Sequence, residues 1–224
     1  NALTSYTGTY TVVLTNTTTG CTATATTSAT VNANPTISAS NNGPVCAGST
    51  LNLYATGSGG TGYSWTGPAS FSTTTEDPSR TNALTTYSGT YTVVLTNTTT
   101  GCTASATTSA TVNANPTVSA SNNGPVCPGE NLQLQASGSG GTGFAWTGPA
   151  GFTSTDEDPV ISNFQAANTG TYTVVYSNST TGCSASATTS ADIFTNPVVN
   201  LGDDVISCVN QNVILNAGAG FVSY

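Results

Sequence analysis

Six cysteines and nine acidic side chains are the residues of this 224-residue chain with chemistry to offer. The cysteines form two series, Cys21, Cys102, Cys183 and Cys46, Cys127, Cys208, each advancing by 81 positions (102 − 21 = 81; 127 − 46 = 81). With two thiols per repeating unit, no CxxC pair and no histidine to complete a tetrahedral set, the pattern points to disulfides rather than a metal. Pairing inside a unit joins Cys46 to Cys102 and Cys127 to Cys183. Each such loop spans 56 residues (102 − 46 = 56) and is worth about 4 kcal/mol on the chain-entropy account. Pairing of neighbours across a boundary, Cys21–Cys46, Cys102–Cys127 and Cys183–Cys208, uses all six.

Five of the nine acids gather in two equivalent turns, Glu76-Asp77 and Asp156-Glu157-Asp158. Without His or Lys the chain has no general base matched to neutral pH, no Schiff-base amine and no His-activated nucleophile. Adjacent carboxylates do not create the cleft that a glycosidase pair requires. Neither catalysis nor a cofactor is expected. Glu76, Asp77, Asp156 and Asp158 have oxygens that Ca²⁺ could use, but their spacing matches no recognised calcium loop. A solvated acidic turn is the simpler reading, and no metal is expected.

The net charge of −8, with Arg80 as the one cation, repels nucleic acid and anionic membranes alike. No run of 18 apolar residues exists to span a bilayer. Aromatic side chains at Tyr63, Trp65 and Phe71, and at Phe144, Trp146 and Phe152, could stack on a sugar; a core role suits the tryptophans better, and alternation puts Tyr63 and Phe144 on the same inward face. Asn16, Asn97 and Asn178 open N-x-S/T triplets, which chance and repetition explain in a chain so rich in Asn, Ser and Thr.

The elements that position these residues recur with the same step. "YTVVLTNTTTGC" begins at Tyr10 and again at Tyr91, and "YTVVYSNSTTGC" begins at Tyr172 (91 − 10 = 81; 172 − 91 = 81). A period of 81 exceeds that of common solenoid repeats, about 20–50 residues, and suits a small domain that closes its own core. Thr and Val dominate where a helical surface would need Lys, Glu and Gln, and "GTYTVVLTN" alternates with period two. Four segments follow: 1–34 as the second half of a repeat, 35–115 and 116–196 as complete domains, and 197–224 as the first half of a divergent repeat. On this reading the chain is a piece of a longer one, with any export signal outside it.

Seven strands can be laid along 35–115, at about 36–40, 50–57, 62–68, 71–75, 80–84, 90–97 and 102–112. That order suits a two-sheet Greek-key sandwich of immunoglobulin type. Leu53 and Val93 stand where antibody domains place their inter-sheet cysteines, with Trp65 on the third strand. Tyr91, two residues before Val93, falls at a tyrosine corner. Trp146 and Tyr172 repeat these core roles. The fold class is therefore all-β, with tandem immunoglobulin-like β-sandwich domains of about 81 residues arranged as an extended rod. Pairing within a repeat is preferred because a self-contained module carries its own staple. The sandwich template, however, puts Cys46 and Cys102 near opposite ends, so the alternative stays open.

The units "PVCAGSTLNLYATGSGGTGYSWTGP" and "PVCPGENLQLQASGSGGTGFAWTGP", each followed by "GTYTVV" and "GC", resemble the Ig-like or PKD-like repeats of large Bacteroidetes surface and gliding-associated adhesins. The resemblance implies an extracellular, cell-surface protein exported by the type 9 route, with no catalytic residues. The expected function is a stalk or fibre segment, and the alternative is a carbohydrate- or protein-binding module acting through its loops. Expected partners are neighbouring repeats, other copies of the chain in a filament, and a glycan ligand.

Overall fold

The computed structural model describes residues 1–199 and 203–214 and divides the chain into two compact units. One comprises residues 1–115 with 180–183; the other comprises 116–179 and the residues from 184 onward. The proposed divergent half-repeat, 197–224, lies partly outside the described residues, and its described part contains no strand.

The first unit opens with a hairpin, β1 (Gly8–Thr15) and β2 (Thr22–Ala29). There follow β3 (Thr36–Asn41), β4 (Val45–Cys46), β5 (Leu51–Ser58), β6 (Gly62–Gly67), β7 (Phe71–Thr73), β8 (Ser79–Arg80), β9 (Gly89–Thr96), β10 (Thr103–Ala110) and β11 (Val112–Asn113). One sheet has the order β3-β5-β8 and the other β10-β9-β6-β7; β4 lies parallel to β11. Both sheets send their apolar alternates into one core, with Leu51, Leu53 and Ala55 from the first meeting Trp65, Tyr91 and Val93 from the second. This is an immunoglobulin-like sandwich.

The second unit repeats it with β12 (Thr117–Asn122), β13 (Leu132–Ser139), β14 (Gly143–Thr147), β15 (Thr153–Ser154), β16 (Val160–Ile161), β17 (Gly170–Ser177) and β18 (Ser184–Ala191). The sheet orders are β12-β13-β16 and β15-β14-β17-β18, around Leu132, Leu134, Trp146, Tyr172 and Val174. A single parallel bridge, Val126 to Ile193, stands where β4 and β11 pair in the first.

The tyrosine corner closes in all three copies of its motif. Tyr91 donates its hydroxyl to the Tyr87 carbonyl at 2.8 Å, Tyr172 to Asn168 at 2.7 Å and Tyr10 to Tyr6 at 2.7 Å. Gly67 and Gly148 lie so close to the rings of Tyr91 and Tyr172 that any Cβ there would overlap them. The weak fifth segment expected at 80–84 is shorter, Ser79–Arg80, because Asn82 takes the left-handed conformation at φ 50° and ends the strand.

The two cores differ in one coordinated way. Arg80, half-buried, donates to Tyr91 Oη at 2.7 Å and to the Pro68 carbonyl at 3.0 Å, with its guanidinium 3.4 Å from the Tyr87 ring centroid. Its equivalent is Ile161, buried among apolar side chains, and Asn168 replaces Tyr87. The cation thus seals the rim of one core where an aliphatic side chain serves the other. Substituting Arg80→Ala removes two hydrogen bonds and a stacked aromatic contact. It is expected to lower the stability of the first domain by about 1–3 kcal/mol in denaturant unfolding, with Trp146 fluorescence reporting an unchanged second domain.

Candidate functional site

The residues singled out for chemistry are drawn into the turn that follows β7 and its equivalent after β15. Trp65 and Trp146 are fully buried, and each must place its indole N–H. Trp65 Nε1 donates to the Glu76 carbonyl at 2.9 Å and Trp146 Nε1 to the Glu157 carbonyl at 3.1 Å. The next residue in each turn completes β-sheet hydrogen bonding: Asp77 Oδ1 accepts the Ala55 N–H at 2.9 Å and Asp158 Oδ1 accepts the Ala136 N–H at 3.0 Å. These aspartates stand in for the missing strand partner beyond the two-residue β8 and β16.

Glu76 accepts the Tyr63 hydroxyl at 2.7 Å, whereas Asp156 is engaged by Ser154 Oγ at 3.4 Å. Three of the four calcium candidates, Glu76, Asp77 and Asp158, are thus spent on protein donors at full hydrogen-bond length. No group of three or more His, Cys, Asp or Glu side chains able to hold a metal occurs among the described residues.

The hydrogen bond to Glu76 raises the Tyr63 phenol above its ordinary value of 10.0, with desolvation and the charges of Glu76 and Asp77 adding to it; burial raises Tyr172. Tyr63 and Phe144 are only half-buried. Phe144 stacks on Tyr176 at a centroid distance of 4.2 Å, a pair that replaces Tyr63 and Leu95.

The triplet asparagines are turn formers. Asn97 accepts the Thr99 and Thr100 N–H groups at 3.0 and 3.1 Å and donates to the Gly59 carbonyl at 2.8 Å. Asn16 accepts the Thr18 and Thr19 N–H groups, and Asn178 donates to Gly140 at 2.7 Å.

The cysteine pairing differs from both schemes read from the sequence. Cys46 is bonded to Cys183, with Cα atoms 5.6 Å apart and 137 residues between them in sequence, while Cys21, Cys102, Cys127 and Cys208 are thiols. The within-repeat bonds Cys46–Cys102 and Cys127–Cys183 are excluded by strand length. Cys46 pairs with Asn113 just past β10, and Cys102 immediately precedes β10, so eight extended residues, about 26 Å, separate the two ends. A disulfide tolerates a Cα separation of about 7 Å at most. Cys127 stands beside the Val126–Ile193 bridge past β18, and Cys183 just before β18, with the same result. The neighbour scheme fails at Cys46, already taken by Cys183, and Cys102 and Cys127 remain thiols.

The β1–β2 hairpin is the least covered element. Tyr10, Val12 and Leu14 are 50%, 64% and 73% exposed, where their equivalents Tyr91, Val93 and Leu95 are wholly buried. Among the described residues no helix is long and apolar enough to cross a membrane.

No protein-family model matches the chain, and no curated protein sequence matches it. Among solved structures it is similar to an I-band fragment of titin, at 16% identity over 87% of this chain and 77% of that one, with a TM-score of 0.49. It is also similar to extracellular domains 3–5 of Drosophila OTK, at 17% identity over 87% and 73% of the two chains, with a TM-score of 0.43.

Two outcomes follow from this geometry. Because the fold favours the neutral phenols of Tyr63 and Tyr172, their contribution to stability is complete below pH 10.0 and is lost as pH climbs through their raised folded values. Tyr63→Phe should therefore flatten part of the alkaline decline in melting temperature, and ultraviolet titration of the parent should show a late phenol that Glu76→Gln returns toward 10.0. Cys46→Ser, by freeing a 137-residue span, should cost up to about 5 kcal/mol in denaturant unfolding while near-ultraviolet dichroism retains both buried tryptophans.

Proposed function

We propose that the chain is a non-catalytic structural segment of an extracellular bacterial surface adhesin or filament, in which each immunoglobulin-like domain of about 81 residues serves as a length unit. The observation that carries this reading is the Cys46–Cys183 bond, which runs from a residue of one sequence repeat to a residue of the next. A staple placed in this way resists separation of successive repeats, the mechanical requirement of a stalk. It also needs an oxidising compartment, which agrees with secretion to the cell surface.

The side chains support the same reading. Glu76, Asp77 and Asp158 are consumed in holding turns and strand ends, and both tryptophans are committed to the cores. A surface of Thr, Ser and Asn with one cation in the chain leaves trypsin-like proteases little to cut. The resemblance of the VC-x-G, YSW, GTYTV and GC motifs to Bacteroidetes surface repeats supports a source of that kind.

The second reading, a carbohydrate- or protein-binding module, rests on the half-buried Phe144, stacked on the buried Tyr176 beside the loop at Gly141, whose carbonyl accepts the Tyr176 hydroxyl at 2.9 Å. A glycan array combined with single-molecule stretching separates the two. A spacer is expected to retain no glycan and, with Cys46–Cys183 intact, to withhold the span of 137 residues, roughly 450 Å of contour, that reduction then releases. Saturable glycan binding abolished by Phe144→Ala would transfer the assignment to the second reading.

A further inference from the structure

The chain contains two Asn-Gly dipeptides, Asn42-Gly43 and Asn123-Gly124, one repeat apart (123 − 42 = 81). In this pairing a backbone amide most readily attacks the preceding side chain, because glycine puts no Cβ in the way. Both asparagines are exposed, just past the ends of β3 and β12.

In the folded domains each reacting group is held by another partner. The Gly43 N–H donates to Asn41 Oδ1 at 2.7 Å and the Gly124 N–H to Asn122 Oδ1 at 2.8 Å. The Asn42 side chain reaches across toward β5, where its Oδ1 accepts the Asn52 N–H at 2.8 Å and its Nδ2 donates to the Thr50 carbonyl at 3.1 Å. Asn123 likewise accepts the Gln133 N–H at 2.8 Å and donates to the Asn131 carbonyl at 3.5 Å. Attack of the glycine nitrogen on the asparagine side chain must break all of these bonds.

The guarding asparagines are fixed by closure of the sandwich. Asn41 lies on β3, an edge of one sheet, and its Nδ2 donates to Thr108 Oγ1 at 2.7 Å and to the Ser109 carbonyl at 3.0 Å, both on β10, an edge of the other sheet. Asn122 makes the same bonds to β18, to Thr189 Oγ1 at 2.6 Å and to the Ser190 carbonyl at 2.9 Å. The arrangement also dictates the glycine. A Cβ on Gly43 would stand 2.7 Å from Asn41 Oδ1, and one on Gly124 would stand 2.8 Å from Asn122 Oδ1. The bond that shields the nitrogen therefore requires the residue that makes the site most reactive once the shield is gone.

We propose that Asn42 and Asn123 are latent deamidation sites, guarded by Asn41 and Asn122, at which opening of a sandwich along β3 or β12 is recorded as a covalent change. The Gly43 nitrogen gives up its proton and bonds to Asn42 Cγ as the Cγ–Nδ2 bond breaks, and the side-chain nitrogen leaves as ammonia. Water then opens the cyclic imide at either carbonyl, leaving aspartate or isoaspartate. One water is consumed, one ammonia is released and nothing is oxidised. Neither product can remake the Nδ2 bond to the Thr50 carbonyl, so an edge that has opened cannot close as before. Gly124 and Asn123 repeat the chemistry in the second domain.

Peptide mapping of the full chain, incubated near neutral pH either folded or unfolded in urea, reads conversion at each site. The folded parent should lose both asparagines at least about tenfold more slowly than the unfolded chain. Asn41→Ala, with folding checked by near-ultraviolet dichroism, should speed conversion at Asn42 about tenfold, the rate equivalent of one lost hydrogen bond, and leave Asn123 of the same molecule at the parent rate. Asn122→Ala should reverse that pattern. Asn41→Asp keeps an acceptor for the Gly43 N–H while losing the donor to β10, so it should convert Asn42 more slowly than Asn41→Ala, whereas weakened folding alone would speed both alike. Asn42→Asp should lower the urea midpoint of the first domain. Equal rates in the folded and unfolded parent, equal rates at Asn42 in the two folded Asn41 variants, or an unchanged midpoint for Asn42→Asp would each overturn the proposal.

Discussion

The indole N–H of the buried tryptophan is the constraint from which each domain is organised. Trp65 supplies the largest side chain of its core, and an apolar interior offers its N–H no partner, so the chain must bring a carbonyl to it. The Glu76 carbonyl does this, and its arrival places Asp77 on the Ala55 N–H and Glu76 under the Tyr63 hydroxyl. Acidity that looks, in sequence, like a metal or catalytic cluster is therefore the outer face of a turn pinned from within. The Trp146 and Glu157 pair imposes the same turn on the second domain, where Asp158 and Ala136 repeat the strand-end bond.

Around that fixed point the cores tolerate exchange. Arg80 with Tyr87 becomes Ile161 with Asn168, and Tyr63 with Leu95 becomes Phe144 with Tyr176. In both exchanges a hydrogen bond or an aromatic contact replaces aliphatic packing, between half-buried Arg80, Tyr87 and Asn168 and buried Ile161, and between half-buried Tyr63 and Phe144 and buried Leu95 and Tyr176. The positions that face the tryptophan, Leu53 with Val93 and Leu134 with Val174, stay aliphatic and fully buried. Charge is sparse and almost wholly acidic, nine carboxylates and one cation, so most of the sequence available to the surface is Thr, Ser, Asn and Gly. Lysine, the usual guard of exposed sheet edges, is absent.

Much of the architecture is legible in local pattern. The alternation of Tyr91, Val93 and Leu95 marks a strand because one face of it is buried, and a tyrosine two residues before the core valine marks the corner because its hydroxyl can reach back four residues to Tyr87. The short parallel pair Val45–Cys46 with Val112–Asn113 left no such signal, since two residues carry no period. The role of Asp77 was equally hidden. A carboxylate that completes the ladder ahead of β8 depends on where β8 begins, at Ser79, just after the Pro78 carbonyl that accepts the Leu53 N–H.

The sequence alone determined that the modules are all-β, that their period is 81, and that the cysteines fall into two equivalent series, because periodicity and composition are local and repeat exactly as the chain repeats. Only tertiary structure decided which thiol meets which. A strand of eight residues carries the two cysteines of one repeat to opposite ends of the sandwich, a distance no spacing rule expresses. The partner is whichever thiol folding brings within reach, and for Cys46 that is Cys183, 137 residues away.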